Sequence, residues 1–128
     1  MSAKGLPMAI SAAEQFMLEL INRARLDPLG EAARHELNQV WHRLAAWPDS
    51  VAGLTRLKAR FTICSLSNGN LGLLTDMAKH AGLPWDCVLS AEVFRAYKPD
   101  PRVYRGAAEV FDLPVEQVMM VAAHQDDL

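Results

Sequence analysis

Phe61-Thr62-Ile63-Cys64-Ser65-Leu66 runs directly into Ser67-Asn68-Gly69-Asn70. A short apolar run bounded by polar turn residues reads as a buried strand. Beyond the turn, Leu71 to Ala81 carries helical spacing, with Gly82 placed as its C-terminal stop. Asp86 to Ser90 reads as a second, short strand. Pro101 to Phe111 reads as a helix whose proline suits the first turn, where a missing N–H costs nothing. Leu113-Pro114 turns the chain, and Val118 to Ala123 reads as a third strand. Strands alternating with helices predict an α/β fold, a partial Rossmann-like three-layer parallel sheet. Ligands of such sheets bind beyond the carboxyl ends of the strands, which is where Ser67, Asn68 and Asp127 fall.

Upstream, the pattern is helical. Ser11 and Glu14 form a capping box, and Phe16, Met17, Leu20, Ile21 and Ala24 recur at helical spacing. Asp27-Pro28-Leu29-Gly30 breaks that helix. A second helix is expected from about Glu31 to Ala45, with Leu37, Val40, Trp41 and Leu44 on one face, ending at Pro48. Asp49 or Ser50 is expected to cap a short amphipathic helix through Val51, Leu54 and Leu57. At the other end, the sequence closes at Leu128 just after an expected strand, where a doubly wound sheet would continue; a truncated sheet is therefore expected.

The chain has 128 residues, room for one domain with a modest core. Its net charge of −2 gives no ground for broad binding to nucleic acid or to acidic membranes. The apolar runs are too short to cross a bilayer, and the first residues lack the apolar stretch of a signal peptide. A cytoplasmic location is expected. The two cysteines, Cys64 and Cys87, lie in strand-like runs without metal-ligand spacing. They read as small buried hydrophobes in a reducing compartment.

Three groups could carry chemistry. Ser67-Asn68-Gly69-Asn70 reads first as a helix cap. Its functional reading is an anion site made by the Ser67 hydroxyl, the Asn68 amide and backbone N–H groups at a helix N-terminus. Lys98 lies in Tyr97-Lys98-Pro99-Asp100-Pro101, stiffened by prolines that reduce the entropy of holding its ammonium. An exposed lysine is otherwise a solvated charge, and the nearby Tyr104 is otherwise a packing residue. His124-Gln125-Asp126-Asp127 could orient a lysine, transfer protons or bind a metal, or could cap a following helix.

In this order and at these strand ends, the groups resemble the haloacid dehalogenase superfamily, and within it the type II 2-haloacid dehalogenases. Glu36-Leu37-Asn38-Gln39-Val40-Trp41-His42-Arg43-Leu44 and Trp47-Pro48-Asp49-Ser50-Val51-Ala52-Gly53-Leu54 carry the likeness. Ser67-Asn68-Gly69-Asn70, Tyr97-Lys98-Pro99-Asp100-Pro101 and Met120-Val121-Ala122-Ala123-His124 continue it. The resemblance implies a hydrolase in which an aspartate attacks the carbon bearing the halogen, displaces halide and forms an ester that water hydrolyses. It implies that Ser67 and Asn68 hold the substrate carboxylate and the nucleophile, and that Lys98 keeps the nucleophile charged. It further implies that Asp127 orients the lysine and helps activate water, and that Tyr104 and His124 line the substrate. No cofactor is implied; magnesium enters only in a phosphatase-like alternative.

The sequence departs from the family's pattern near its start. The family has an apolar strand ending in Asp, then two residues, then Gly and Thr. Asp27 has a glycine nearby, yet Asn22-Arg23-Ala24-Arg25-Leu26 before it is polar and helical. Gln125 and Asp126 stand where relatives carry other residues, which leaves substrate preference open. Residues 11–28 resemble the first helix of a bacterial CAP (cysteine-rich secretory protein-like) domain, so residues 1–34 are expected to form a helical segment of different origin. Residues 35–128 would form a partial haloacid dehalogenase-like domain. Alternatively, a helical N-terminus is native to this chain. The expected activity is hydrolysis of carbon–halogen bonds in short 2-haloalkanoic acids, impaired for want of the nucleophile. The alternative is a non-catalytic module binding small anions. The expected partners are a small 2-haloacid or other carboxylate and, because a missing strand leaves an open sheet edge, a second copy of the chain.

Overall fold

The computed structural model of the chain describes residues 30–123. The helix expected from Ser11, the break at Asp27, and His124, Asp126 and Asp127 lie outside the described residues. Within them, the order is helix α1 (Glu31–Gln39), a 3-10 turn (Val40–Arg43), helix α2 (Ser50–Lys58), strand β1 (Cys64–Ser67), helix α3 (Leu71–Ala81) and strand β2 (Cys87–Ser90). A second 3-10 turn (Ala91–Phe94), helix α4 (Pro101–Val110) and a last 3-10 turn (Val115–Gln117) follow.

The two strands pair in parallel, with Cys64 opposite Cys87, Ser65 opposite Val88, Leu66 opposite Leu89 and Ser67 opposite Ser90. Helix α3 is the crossover between them, as the alternating pattern requires. It starts at Asn70, whose side chain accepts from the Leu73 N–H at 2.7 Å. It stops at Gly82, whose φ of 66° is left-handed and lets the Leu83 N–H reach the Ala78 carbonyl at 2.9 Å. Helix α4 starts with Pro101 after the cap residue Asp100, which accepts from the Arg102 N–H at 2.9 Å.

The core is built around Ala91, Ala96 and Val103, against which Leu66 and Phe94 pack. Small residues on α4 allow this closeness. A Cβ at Gly106 would stand 2.4 Å from the Phe94 ring, so glycine lets the ring lie directly on the helix backbone. Helix α2 buries no residue. It is tied down by Lys58, whose ammonium pairs with Asp86 at 2.8 Å and donates to the Pro84 carbonyl at 3.1 Å. Asp86 also accepts from the Ile63 N–H at 2.9 Å, ahead of β1. The Lys58 ammonium, then the Ile63 N–H, hold the Asp86 carboxyl below its ordinary pKa.

Four expectations need correction. The helix expected to Ala45 tightens into a 3-10 turn at Val40 and ends at Arg43. Asp49 occupies the cap position of α2 without a side-chain bond, because its own backbone is already helical (φ −95°, ψ −12°) rather than extended. Strand β1 begins at Cys64 rather than Phe61, since β2 offers partners only from Cys87, and Phe61 is left 61% exposed. Val118 to Ala123 joins no ladder: the sheet among the described residues has two strands. Val118 keeps an extended backbone, and Met119 and Val121 stand 83% and 77% exposed while Met120 and Ala122 are half-buried. That alternation has the period of a strand. A ladder also needs a neighbouring edge, and among the described residues no strand pairs with this segment.

Candidate active site

Strand β1 ends in Ser67 and β2 ends in Ser90, which are in register. The turn that follows β1 is held from three sides. The Ser67 hydroxyl oxygen accepts from the Gly69 N–H at 3.1 Å. The fully buried Ser90 donates its hydroxyl to the Gly69 carbonyl and accepts from the Glu92 N–H at 3.1 Å. The Asn68 side chain spans to the Lys98 loop. Its amide oxygen accepts from the Lys98 N–H at 2.7 Å, and its amide nitrogen donates to the Lys98 carbonyl at 3.2 Å.

This two-way bond makes Asn68 behave like one more residue of backbone pairing, joining the end of β1 to the approach to α4. The Lys98 loop has its own closure, with the Asp100 N–H donating to the Tyr97 carbonyl at 2.8 Å and a cis Lys98–Pro99 peptide. Asp100 pairs with the Arg102 guanidinium at 2.8 Å, which holds its carboxyl below the ordinary carboxylate range. The loop is therefore anchored at Asn68 on one side and at the start of α4 on the other.

Ser67, Asn68 and Lys98 thus come together at the carboxyl edge of the sheet. Ser67 and Lys98 are half-buried and Asn68 is exposed. The Ser67 oxygen acts as acceptor within the turn, which leaves its own hydrogen to donate. Tyr104 lies half-buried on α4, one residue from the buried Val103. His124 and Asp127 lie outside the described residues. Among the described residues, no three His, Cys, Asp or Glu side chains gather as a metal-ligating group.

The anion reading of the α3 N-terminus needs narrowing. Glu92 accepts from the Leu71 N–H at 2.9 Å, and Asn70 accepts from the Leu73 N–H at 2.7 Å. Two donors of the first turn are therefore occupied, one of them by a carboxylate that already uses the favourable end of the helix. What remains for an anion is the Ser67 hydroxyl and the Lys98 loop. Sequence reasoning missed Ser90 and Glu92. The signal for Ser90 was a serine closing each strand; for Glu92 there was none, because its contact with Leu71 spans 21 residues.

Comparison with known proteins fits this arrangement. A profile of haloacid dehalogenase-like hydrolases matches residues 8–127. The chain is 36% identical over 98 residues to (S)-2-haloacid dehalogenase 1 of Pseudomonas sp. (strain CBS-3), covering 74% of this chain and 43% of that one. The crystal structure of the L-2-haloacid dehalogenase PA0810 superposes with a TM-score of 0.82 and 48% identity, over 90% of this chain and 50% of that one. The defluorinating L-2-haloacid dehalogenase Rha0230 gives 0.81 and 41%, over 90% and 48%. The likeness of residues 11–28 to a CAP helix finds no support in these matches. The chain spans about half the length of the relatives it matches. The parallel pair crossed over by α3, the turn after β1 and the matched length agree, and the chain belongs to the haloacid dehalogenase-like hydrolases.

Proposed function

We propose that the chain holds short 2-haloalkanoic acids at the edge formed by Ser67, Asn68 and Lys98, and that it carries the lysine side of a 2-haloacid dehalogenase site. The observation behind this reading is the two-way bond between the Asn68 amide and the Lys98 backbone. That bond ties the Lys98 loop to the turn that carries Ser67 at the end of β1, and this supports reading the edge as the place where a carboxylate would be received.

In the reaction, a carboxylate oxygen attacks the carbon bearing the halogen. The carbon–halogen bond breaks with its electron pair leaving on halide, and water cleaves the resulting ester. Lys98 would keep the attacking carboxylate ionised, Asp127 would orient Lys98, and Tyr104 and His124 would line the substrate. No residue of this sequence presents an aspartate at an apolar strand end followed by the family's glycine and threonine. Hydrolysis by this polypeptide is accordingly expected to be slower by several orders of magnitude than with a nucleophile in place. The setting is the cytoplasm, where the free thiols Cys64 and Cys87 persist.

The test combines calorimetric titration with 2-chloropropionate, lactate and phosphate with a halide-release assay. Binding of 2-chloropropionate and lactate, lost in Lys98→Ala and accompanied by little halide, supports the reading. Rapid halide release that disappears in Asp27→Asn overturns the missing-nucleophile part. Failure of all three ligands to bind overturns the whole.

A further inference from the structure

At the opposite end of the strand pair from Ser67 and Ser90, Cys64 opens β1 and Cys87 opens β2, directly in register. Both are free and both are half-buried. In a parallel pair, residues in register point to the same face, and neighbouring strands lie about 4.8 Å apart. Two cysteines can be bridged when their Cα atoms are roughly 4.4–6.8 Å apart with their Cβ atoms on the same side. A parallel pair with this register is compatible with both conditions.

We propose that Cys64 and Cys87 are a dithiol modification site that closes reversibly to a disulfide within one chain. The reagent class is a small-molecule disulfide such as glutathione disulfide. One thiolate attacks a sulfur of the reagent, forming a mixed disulfide and expelling one glutathione thiolate. The second cysteine, as thiolate, attacks the protein sulfur of that adduct, forming the Cys64–Cys87 bond and expelling the second glutathione. Two protons are lost from the protein thiols and taken up by the departing thiolates, so the protein is oxidised by two electrons and the reagent is reduced to two thiols. Such exchange runs through mixed disulfides of this kind.

Three features shape the behaviour of the pair. Burial, then the neighbouring Cys87, pushes the Cys64 thiol up from its ordinary pKa. Closure should therefore speed up as pH rises, because the thiolate is the attacking form. The half-burial of both thiols leaves the bond within reach of reductant, since exposed disulfides are among the labile ones. Finally, the pair lies on the face of Leu66 and Leu89, which hold the core side of the sheet. Closure would staple β1 to β2 at the end away from the Ser67 turn.

The test is oxidation of the native chain with glutathione disulfide, followed by intact mass and peptide mapping. The expected product has lost two hydrogens, contains a Cys64–Cys87 bridge and is restored by dithiothreitol. Bridged product should exceed glutathionylated product by about 10-fold, because the second step is intramolecular. Its rate should not depend on protein concentration. Cys64→Ser and Cys87→Ser should each stop at a single glutathione adduct. Accumulation of glutathione on the wild-type chain without a bridge would overturn the proposal. So would bridges between chains, or two thiols that resist the reagent until the chain is unfolded.

Discussion

The Asn68 side chain and the Lys98 backbone, 30 residues apart, exchange two hydrogen bonds, at 2.7 Å into the amide oxygen and 3.2 Å from the amide nitrogen. A side-chain amide bonded in this way mimics a backbone unit, and each of its polar atoms keeps a second hydrogen or lone pair for another partner. Its contribution is to hold the lysine loop in place.

Asn68→Ala should release that loop. Two net hydrogen bonds at roughly 0.5–1.5 kcal/mol each give an expected loss of about 1–3 kcal/mol. Asn68→Asp keeps an acceptor for the Lys98 N–H but not the donor to its carbonyl, and should fall between. Chemical unfolding curves for the three proteins give the ranking; an aspartate variant weaker than the alanine variant would contradict it.

Gly106→Ala should destabilise the chain by about 1–3 kcal/mol, the usual range for overpacking, since the added Cβ would lie 2.4 Å from the Phe94 ring. Combining it with Phe94→Leu should cost less than the sum of the two single changes, because the smaller side chain makes room. Additive losses in thermal melts would show that the ring does not set the constraint.

Asp86 and Asp100 should make stability fall in acid. Lys58 and Arg102 lower their pKa values in the folded chain. The stabilisation is therefore fully present above the unfolded carboxylate value, about 3.9, and is lost as pH falls through the lower folded value. Melting temperatures of wild type and Asp86→Asn should differ at neutral pH and converge in the acid limb. A gap that widens below about pH 4 would reverse the sign of the argument.

Met119 and Val121 present an exposed apolar stripe with strand alternation, and the chain should self-associate through it. Met119→Lys with Val121→Lys should reduce association in concentration-dependent light scattering. Their effect on stability should stay within about 0.5 kcal/mol per site, as for other surface changes. A wild-type chain that stays monomeric at high concentration would dispose of this prediction.

Local pattern was enough for much of the described region. The bounds of α3, its Asn70 start and its Gly82 stop follow from chemistry within a few residues, as do the proline and aspartate that open α4. The parallel α/β arrangement follows from alternation, and the places of Ser67 at a strand end and Lys98 in a loop follow from the turn and proline residues beside them. Tertiary structure alone decided whether an apolar run became a strand. Among the described residues, Cys64–Ser67 found an edge in β2 while Val118–Ala123, equally strand-like in composition, did not. It also decided that Asn68 holds a loop, that Glu92 occupies the start of α3 and that Cys64 faces Cys87. Helix caps and turns are closed by atoms a few residues apart, so the sequence carries them directly. Strand pairing and these contacts join residues more than 20 positions apart, and only the folded backbone sets their distance.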